Sequence, residues 1–143
     1  MRLAAVLLVS ALATFAVGCA GDDEVAVEPL SSLEGVPWVL VSGIDLEGVE
    51  ESSVPSATFD SGGVSGRAVC NSYASSYTVD GSSLELQPVA STRMACAPPG
   101  DAVENAFFEA LERVRGWEVE DDELVLENGD SDELLRFEPA PEA

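Results

Sequence analysis

Hydrophobic and polar residues alternate with a period of two through much of the chain between residues 37 and 138. Alternation of this kind is typical of β-strands that bury one face. Short polar segments interrupt it, and they predict tight turns between antiparallel strands. The interrupting segments include Asp60–Gly63, Asp80-Gly81 and Asp121-Asp122. The chain is therefore predicted to be rich in short antiparallel strands.

A continuous apolar run opens this region. The run Trp38-Val39-Leu40-Val41 contains no polar residue, in contrast with the alternating segments that follow it. A short unbroken apolar run is typical of a strand that is covered on both faces. The sequence therefore predicts that the first strand is buried on both sides.

One segment follows the helical period instead. Its apolar residues recur at spacings of three or four and so lie on one stripe of a helix: Val103, Phe107, Leu111 and Val114. Asp101 is predicted to cap this helix, with Glu104 in the reciprocal position of a capping box. Gly116 follows the last turn. The apolar stripe must cover an exposed sheet face or close the mouth of a barrel.

Many short antiparallel strands and one helix predict an α+β domain. Its simplest form is a small curled antiparallel β-sheet or barrel with one packed α-helix. Residues 33–138 are enough for one such domain with a hydrophobic core. Residues 19–32 are small, acidic and free of aromatic side chains, which predicts a flexible acidic tether. Residues 139–143 are predicted to be a disordered tail.

The first 18 residues are predicted to be a lipoprotein signal peptide. Met1-Arg2 gives a positive start, and the apolar stretch that follows is shorter than the about 20 residues that a membrane-spanning helix needs. Ala16-Val17-Gly18-Cys19 resembles the lipobox of bacterial lipoproteins, in which the cysteine carries a diacylglycerol and becomes the new amino terminus. Cys19 is thus the predicted lipidation site, and an ordinary signal peptide cut near Ala20 is the alternative. A lipid anchor would hold the protein on the extracytoplasmic face of a cell-envelope membrane, either the inner or the outer one.

The charge of the chain limits its partners. Without residues 1–18, five arginines against 27 acidic residues give a formal net charge of −22. Such a surface repels nucleic acids and anionic headgroups, so no nucleic acid partner is expected. The acidity fits either a cationic partner or a well-hydrated surface. The even spread of acids along the chain favours hydrated faces.

Two motifs around the downstream cysteines carry a family resemblance. In chain order the motif residues are Val64-Ser65-Gly66, Cys70-Asn71-Ser72-Tyr73, Tyr77 and Ser91-Thr92-Arg93-Met94-Ala95-Cys96, and then the helix with Glu104 and Phe107. Their order and separation resemble the META domain of HslJ-like bacterial proteins over nearly all of residues 37–138. The resemblance implies a compact β-rich fold with one helix, frequent membrane attachment, and links to heat shock, drug tolerance or motility. It implies no catalytic residue.

Cys70 and Cys96 are predicted to form a disulfide. Two cysteines in an exported domain oxidise where geometry permits, and closing this loop would stabilise the fold by about 3.5 kcal/mol. Two buried free thiols are the alternative. A redox-active pair is less favoured, because the chain has no Cys-x-x-Cys motif and no histidine or lysine to lower a thiol pKa.

The other polar and apolar motif residues have structural interpretations. Asn71 is best interpreted as a turn residue whose side chain satisfies backbone groups, with a ligand contact as the minor alternative. Tyr73 and Tyr77 are interpreted as rings at the edge of the core rather than the lining of a groove. Met94 is expected to fill space in the core.

The residue types limit the possible chemistry. Histidine and lysine are absent, which excludes nucleophile systems that use them, histidine-ligated zinc and Schiff-base formation. Paired carboxylates remain, because 27 acids guarantee neighbours. The spacing of Asn128, Asp130 and Asp132 matches the start of a calcium loop, but Glu133 replaces its glycine and Pro139 its last glutamate. We expect a solvated acidic turn there, with no metal site, and we expect no cofactor elsewhere.

These observations favour a membrane-anchored lipoprotein with a non-catalytic META-like domain, acting as an envelope binding or stress-response module. We expect a monomer that contacts the membrane through its lipid, with an envelope protein as the candidate partner of its domain. One alternative is a carboxylate-dependent hydrolase of envelope glycans. Another is a protein ligand or inhibitor that presents a rigid loop near Cys96–Gly100, where prolines and the disulfide reduce the ordering cost of binding.

Overall fold

The computed structural model describes residues 29–142. Within this range the strands are β1 Pro37–Ser42, β2 Ser56–Asp60, β3 Gly63–Arg67, β4 Ser72–Asp80, β5 Ser83–Leu86, β6 Ala90–Ser91, β7 Gly116–Glu120, β8 Glu123–Glu127 and β9 Glu133–Pro139. One α-helix, α1, spans Gly100–Arg113, and two short 3-10 turns cover Leu30–Ser32 and Glu51–Ser53. No helix in this part of the chain has the length and hydrophobicity of a membrane span.

Eight of these strands close into an antiparallel barrel. Hydrogen-bonded neighbours follow the order β3-β2-β1-β9-β8-β7-β5-β4, and β3 pairs with β4 to complete the ring. The short strand β6 pairs with the edge of β4 that β3 leaves free. The predicted α+β class is wrong, since strands make up 43% of the structure against 18% for helix. The sheet closes on itself, so the helix does not form a separate layer.

The three interrupting segments identified in the sequence all form hairpin turns. The residues that flank the loops pair as Asp60↔Gly63, Asp80↔Ser83 and Glu120↔Glu123. In the β2–β3 and β7–β8 loops both loop residues have positive φ, as type I′ turns require. This turn type matches the right-handed twist of the strands that it joins.

The prediction that Trp38–Val41 is buried on both faces is wrong. Trp38 and Leu40 are buried, whereas Val41 is 37% exposed. A barrel strand turns one face to the interior and the other to solvent, unless another element covers its outside. The run in β1 therefore behaves as an alternating strand despite its unbroken apolar sequence.

Helix α1 inserts an aromatic side chain into the barrel. The ring centroid of Phe107 lies 5.5 Å from that of Tyr73 on β4 and 6.5 Å from that of Phe137 on β9. These two strands are four places apart in a ring of eight and thus belong to opposite walls. Phe107 consequently lies in the interior. The apolar stripe predicted for the helix is confirmed for Val103, Phe107 and Leu111, which are buried. Val114 is buried as well, but it lies just beyond the end of α1 in extended conformation.

The segment before β1 also packs into the core. Leu33 is fully buried, and its carbonyl accepts a hydrogen bond of 3.1 Å from Nε1 of Trp38. Leu30–Ser32, at the end of the predicted tether, form a 3-10 turn, and β9 ends at Pro139, the first residue of the predicted tail. The predicted signal peptide and Cys19 lie outside the described residues.

Candidate functional site

The residues of the two cysteine motifs converge on the carboxylate of Glu104. Its Oε2 accepts backbone N–H bonds from Val69 at 3.1 Å, from Cys70 at 2.9 Å and from Asn71 at 2.9 Å. Its Oε1 accepts a bond of 2.5 Å from Nδ2 of Asn71. Successive backbone N–H groups that point at one anion form a nest, and here the anion belongs to the chain itself. Glu104 is only 7% exposed, so its charge is stabilised inside the protein.

The capping box predicted for this glutamate is wrong. Helix α1 begins at Gly100, one residue before the predicted cap, and within residues 29–142 the side chain of Asp101 accepts a hydrogen bond only from the N–H of Ala102, at 2.8 Å. Pro99 occupies the capping position without a side-chain bond. The carboxylate of Glu104 therefore does not cap the helix and instead accepts hydrogen bonds from the loop between β3 and β4.

Two opposing effects act on the pKa of Glu104. Burial raises it, while the hydrogen bonds from the Asn71 side chain and from the N–H groups of Asn71, Val69 and Cys70 lower it. The net result is a pKa below the usual value of a glutamate. The carboxylate is therefore ionised at neutral pH and stabilises the loop through charge-assisted bonds.

The side chain of Asn71 joins this loop to the second motif. Its Oδ1 accepts bonds from the N–H of Met94 at 2.7 Å and from Oγ1 of Thr92 at 2.9 Å. Its Nδ2 donates to the carbonyl of Met94 at 3.2 Å as well as to Glu104. The interpretation of Asn71 as a residue that satisfies backbone groups is confirmed. Both polar ends of its amide serve the fold.

The predicted disulfide is present. Cys70 and Cys96 are bonded across a separation of 26 residues, with their Cα atoms 5.7 Å apart. Their sulfur atoms and a carboxylate oxygen of Glu104 lie within 4.8 Å of one another. A metal would need two thiolates and a carboxylate with free lone pairs, but the sulfurs bond to each other and the carboxylate accepts four N–H bonds. This cluster therefore does not fit a metal ion.

The absence of a side chain at Gly66 allows the neighbouring strands β2 and β4 to approach it closely. A Cβ on Gly66 would lie 2.1 Å from the carbonyl oxygen of Ser56 on β2. The same carbonyl accepts a bond of 2.7 Å from the hydroxyl of Tyr73, which is the cross-strand partner of Gly66. Burial raises the pKa of Tyr73. Glycine at position 66 thus permits the Ser56 carbonyl to lie close to β3, where it accepts the hydrogen bond of the Tyr73 hydroxyl.

Tyr77 lies apart from the other motif residues. It is buried, packs edge-on against Phe59 at a centroid distance of 5.2 Å, and donates its hydroxyl hydrogen to Oε1 of Glu34. Burial and this hydrogen bond raise the pKa of Tyr77 to about 12. Both motif tyrosines are buried in the core, where rings at its edge were predicted, and the Tyr77 hydroxyl also holds the segment before β1.

The loop that carries the second motif is exposed although it is held at several points. Met94 is 62% exposed, so its predicted place in the core is wrong. Its backbone bonds on both sides to Asn71 leave the side chain pointing outward. Arg93 and Ala95 are exposed as well. The loop therefore presents three side chains to solvent on a fixed backbone.

Sequence reasoning missed the partners of Glu104. A signal was nevertheless available, because Glu104 lies three residues before Phe107 and seven before Leu111, which places it on the buried stripe of the helix. A charged residue on such a stripe requires a buried partner. The sequence could not identify the backbone of residues 69–71 as that partner, since backbone N–H groups have no sequence signature.

The acidic residues outside this cluster mostly line the outer surface. Arg136 on β9 forms ion pairs with Glu123 at 2.8 Å and with Glu133 at 2.7 Å. The hydrogen bond to Arg136 lowers the pKa of Glu133. Burial, together with the charges of Glu118 and Glu133, raises the pKa of Glu127.

The loop that resembles part of a calcium site is closed by its own hydrogen bonds. Oδ1 of Asn128 accepts the N–H groups of Asp130 at 2.8 Å and of Asp132 at 2.9 Å. Its Nδ2 donates to Asp132 at 3.1 Å. The side chain of Asn128 therefore serves the turn, as expected of a structural acidic loop.

Comparisons with known proteins agree with this architecture. The family model of the META domain matches residues 31–141. No curated protein matches the chain. An NMR structure of a protein from Burkholderia xenovorans is similar with a TM-score of 0.63 and 23% identity, covering 78% of this chain and 86% of that one. The crystal structure of a DUF4847 family protein from Bacteroides vulgatus ATCC 8482 is similar with a TM-score of 0.58 and 12% identity, covering 80% and 99%. These structures share the fold, and the match over residues 31–141 shows that the chain belongs to the META domain family.

Proposed function

We propose that this protein is a lipid-anchored lipoprotein of the cell envelope whose META domain is a non-catalytic binding or stress-response module on the extracytoplasmic face. The observation that carries the proposal is the use of the motif residues. Glu104 and Asn71 bond to each other and to the backbone of both motif loops, and the two motif cysteines bond to each other. Their role is to hold a surface in place.

A catalytic group must reach its substrate with a free lone pair or proton. The carboxylate of Glu104 accepts four N–H bonds and is buried, and the Cys70 and Cys96 sulfurs are bonded to each other. Every buried side-chain nitrogen and oxygen within residues 29–142 has a hydrogen-bond partner. These features support a scaffold that recognises a partner through its surface rather than a reactive centre.

The anchor rests on the lipobox-like sequence that ends at Cys19. Mass spectrometry of the membrane fraction tests it: we expect an amino-terminal Cys19 that carries a diacylglycerol, and a Cys19→Ser variant that leaves the membrane fraction. An unacylated amino terminus beyond residue 19 would contradict the anchor. Crosslinking in envelope extracts, with and without stress, tests the binding role, and we expect a partner whose yield changes with stress.

A second candidate function is a protein ligand that presents a rigid loop. The exposed side chains of Arg93 and Met94 favour it, because the backbone beneath them is held by Asn71 and the disulfide. A rigid loop loses little conformational entropy on binding. A single stoichiometric crosslinked partner that is lost on Met94→Ser, but retained on Ala90→Ser at the exposed strand β6, would support this candidate. Equal yields from the two variants would oppose it.

A further inference from the structure

A groove lined partly by apolar side chains lies beside the disulfide, where three loops meet. It consists of two cavities of about 360 and 180 Å³, and Pro99 lines both of them. A Cβ on Gly48 would lie 2.8 Å from Cγ of Pro99, so the loop between β1 and β2 packs closely against Pro99. We refer to the two cavities together as the Pro99 groove.

Apolar side chains line part of each cavity of the Pro99 groove. Val49, Val69 and Pro98 line the larger cavity, and Ala102 and Val103 of α1 line the smaller one. The larger cavity falls in the range of about 300–1,000 Å³ that is typical of ligand sites. The two cavities lie side by side because they share Pro99, which suits a short extended chain better than a compact molecule.

The rim of the Pro99 groove carries negative charge. Asp45 and Glu47 line the smaller cavity, Glu50 lines the larger one, and all three are exposed. Within the described chain, no arginine lines either cavity. Arg67 lies two residues before Val69 in the chain, and its guanidinium donates a hydrogen bond of 3.3 Å to the carbonyl of Val69. Opposite charge at a binding surface selects its partner and speeds association.

The floor of the groove is rigid. Val69 and Cys70 donate their N–H groups to the buried carboxylate of Glu104, and the disulfide ties Cys70 to Cys96. Two consecutive prolines, whose φ angles are restricted, continue the wall from there. A preformed site of this kind binds without first ordering its own backbone.

We propose that the Pro99 groove binds an extended cationic peptide segment in which basic and aliphatic side chains alternate. The aliphatic side chains occupy the two cavities, and the basic side chains pair with the acidic rim. In an extended chain, alternate side chains point to opposite sides, so one segment supplies both kinds of contact. The inference builds on the proposed binding role of the domain, but it does not depend on the lipid anchor.

A titration of the intact protein with synthetic peptides tests the inference. The probe is an acetylated and amidated hexapeptide of alternating lysine and leucine, compared with a lysine–serine and a glutamate–leucine peptide of equal length. We expect calorimetric binding of the first peptide only. Equal binding of the lysine–serine peptide would mean general attraction of cations and would overturn the proposal, as would the absence of binding by the first peptide at millimolar concentration.

A triple variant tests the rim. Neutralising the rim with Asp45→Asn, Glu47→Gln and Glu50→Gln should weaken binding of the lysine–leucine peptide by about tenfold, since three exposed ion pairs are lost. These side chains are exposed, and the described structure gives their carboxylates no ion pair. We therefore expect the variant to fold normally, which its circular dichroism spectrum checks.

The matched control removes the same amount of charge elsewhere. Glu85→Gln, Glu118→Gln and Glu120→Gln change three exposed residues of β5 and β7 and leave the rim intact. Its affinity for the lysine–leucine peptide should stay within about twofold of the unaltered protein at 0.15 M salt, where the screening length is about 8 Å. If both triple variants lose the same affinity, net charge rather than the groove attracts the peptide, and the proposal fails.

A steric variant tests the cavity independently of charge. Ala97 is exposed and lines the larger cavity, so Ala97→Trp should fill it and abolish peptide binding without disturbing the core. Ala74→Trp, an exposed position on the outer face of β4, is the control and should bind as the unaltered protein does. Unchanged binding by Ala97→Trp would place the peptide elsewhere. Because the assay uses purified protein, its failure would leave the predicted lipid anchor and any other envelope partner still testable.

Discussion

Replacing Glu104 by alanine removes the acceptor shared by three successive backbone N–H groups and one amide. In the folded protein, Oε2 lies within 3.1 Å of the nitrogens of Val69, Cys70 and Asn71. Alanine offers none of these groups a partner. Because the loop is held on its other side by the disulfide, it has little freedom to turn its N–H groups toward solvent.

The size of the effect follows from what is left unpaired. Each buried donor without a partner costs about 1–3 kcal/mol. Two terms offset part of that sum: water enters the vacated space beside the half-buried Cys70, and the variant no longer buries a charge. Removing one partner of a buried charged group costs about 3–5 kcal/mol in comparable cases. We expect Glu104→Ala to lose about that much of the free energy of unfolding.

Urea unfolding, followed by far-ultraviolet circular dichroism with the disulfide intact, measures the loss. Glu109→Ala is the matched control, since Glu109 is exposed on the same helix and should change stability by no more than about 0.5 kcal/mol. Glu104→Gln keeps the shape of the side chain but places an amide nitrogen opposite one of the donors. Its loss of unfolding free energy should therefore lie between those of Glu104→Ala and Glu109→Ala. A loss of less than about 1 kcal/mol for Glu104→Ala would refute the reasoning.

Three further measurements follow from the structure. Gly66→Ala should lose about 3 kcal/mol of unfolding free energy in urea, because its Cβ meets a β2 carbonyl at 2.1 Å, whereas Gly63→Ala, with its nearest atom at 3.6 Å, should be nearly neutral. Reducing the Cys70–Cys96 bond should cost about 3.5 kcal/mol for its loop of 26 residues, and an unchanged urea midpoint would contradict this. Because the folded-state pKa of Glu104 is lowered, its contribution to stability is present above the unfolded pKa of about 4.3 and is lost as pH falls through the folded pKa. The stability of the unaltered protein minus that of Glu104→Gln should therefore shrink below about pH 5, and a pH-independent difference would count against the bonded carboxylate.

The hairpins and the helix were predictable because each has a local cause. A pair of residues suited to positive φ marks the β2–β3 turn, and the apolar spacing of the helix marks its buried stripe. The closure of the sheet was not predictable in the same way. It depends on the pairing of β3 with β4 and of β1 with β9, and the second pair is separated by about a hundred positions in the chain. The class was therefore predicted as α+β, with a barrel only as one possible form.

In the candidate site, too, some features were predictable from local sequence and others were not. The disulfide and the turn role of Asn71 were predicted from residue type, together with the predicted export for the disulfide, and both are present. The burial of Met94 was predicted from hydrophobicity alone, which does not register that Asn71 holds the Met94 backbone at the surface. The partners of Glu104 escaped prediction because backbone N–H groups are the same at every residue but proline. Sequence patterns thus located the motif residues but not the carboxylate at their centre.

The positions of the acidic residues in the folded domain indicate more than their spread along the chain. Along the chain, acids are spread through almost every segment and favour plain hydration. In the folded domain, three of them lie on the loop between β1 and β2 and line the Pro99 groove, whereas others pair with Arg136 on β9. Acidic and apolar side chains therefore meet at the Pro99 groove.

Hydrogen exchange of three backbone amides tests the central claim most directly. If the carboxylate of Glu104 binds the N–H groups of Val69, Cys70 and Asn71, these amides should exchange in the native protein only as fast as the whole domain unfolds. In Glu104→Ala the same three amides should exchange by local opening, at much higher rates than neighbouring barrel amides. Rapid exchange at residues 69–71 in the unaltered protein would contradict the account.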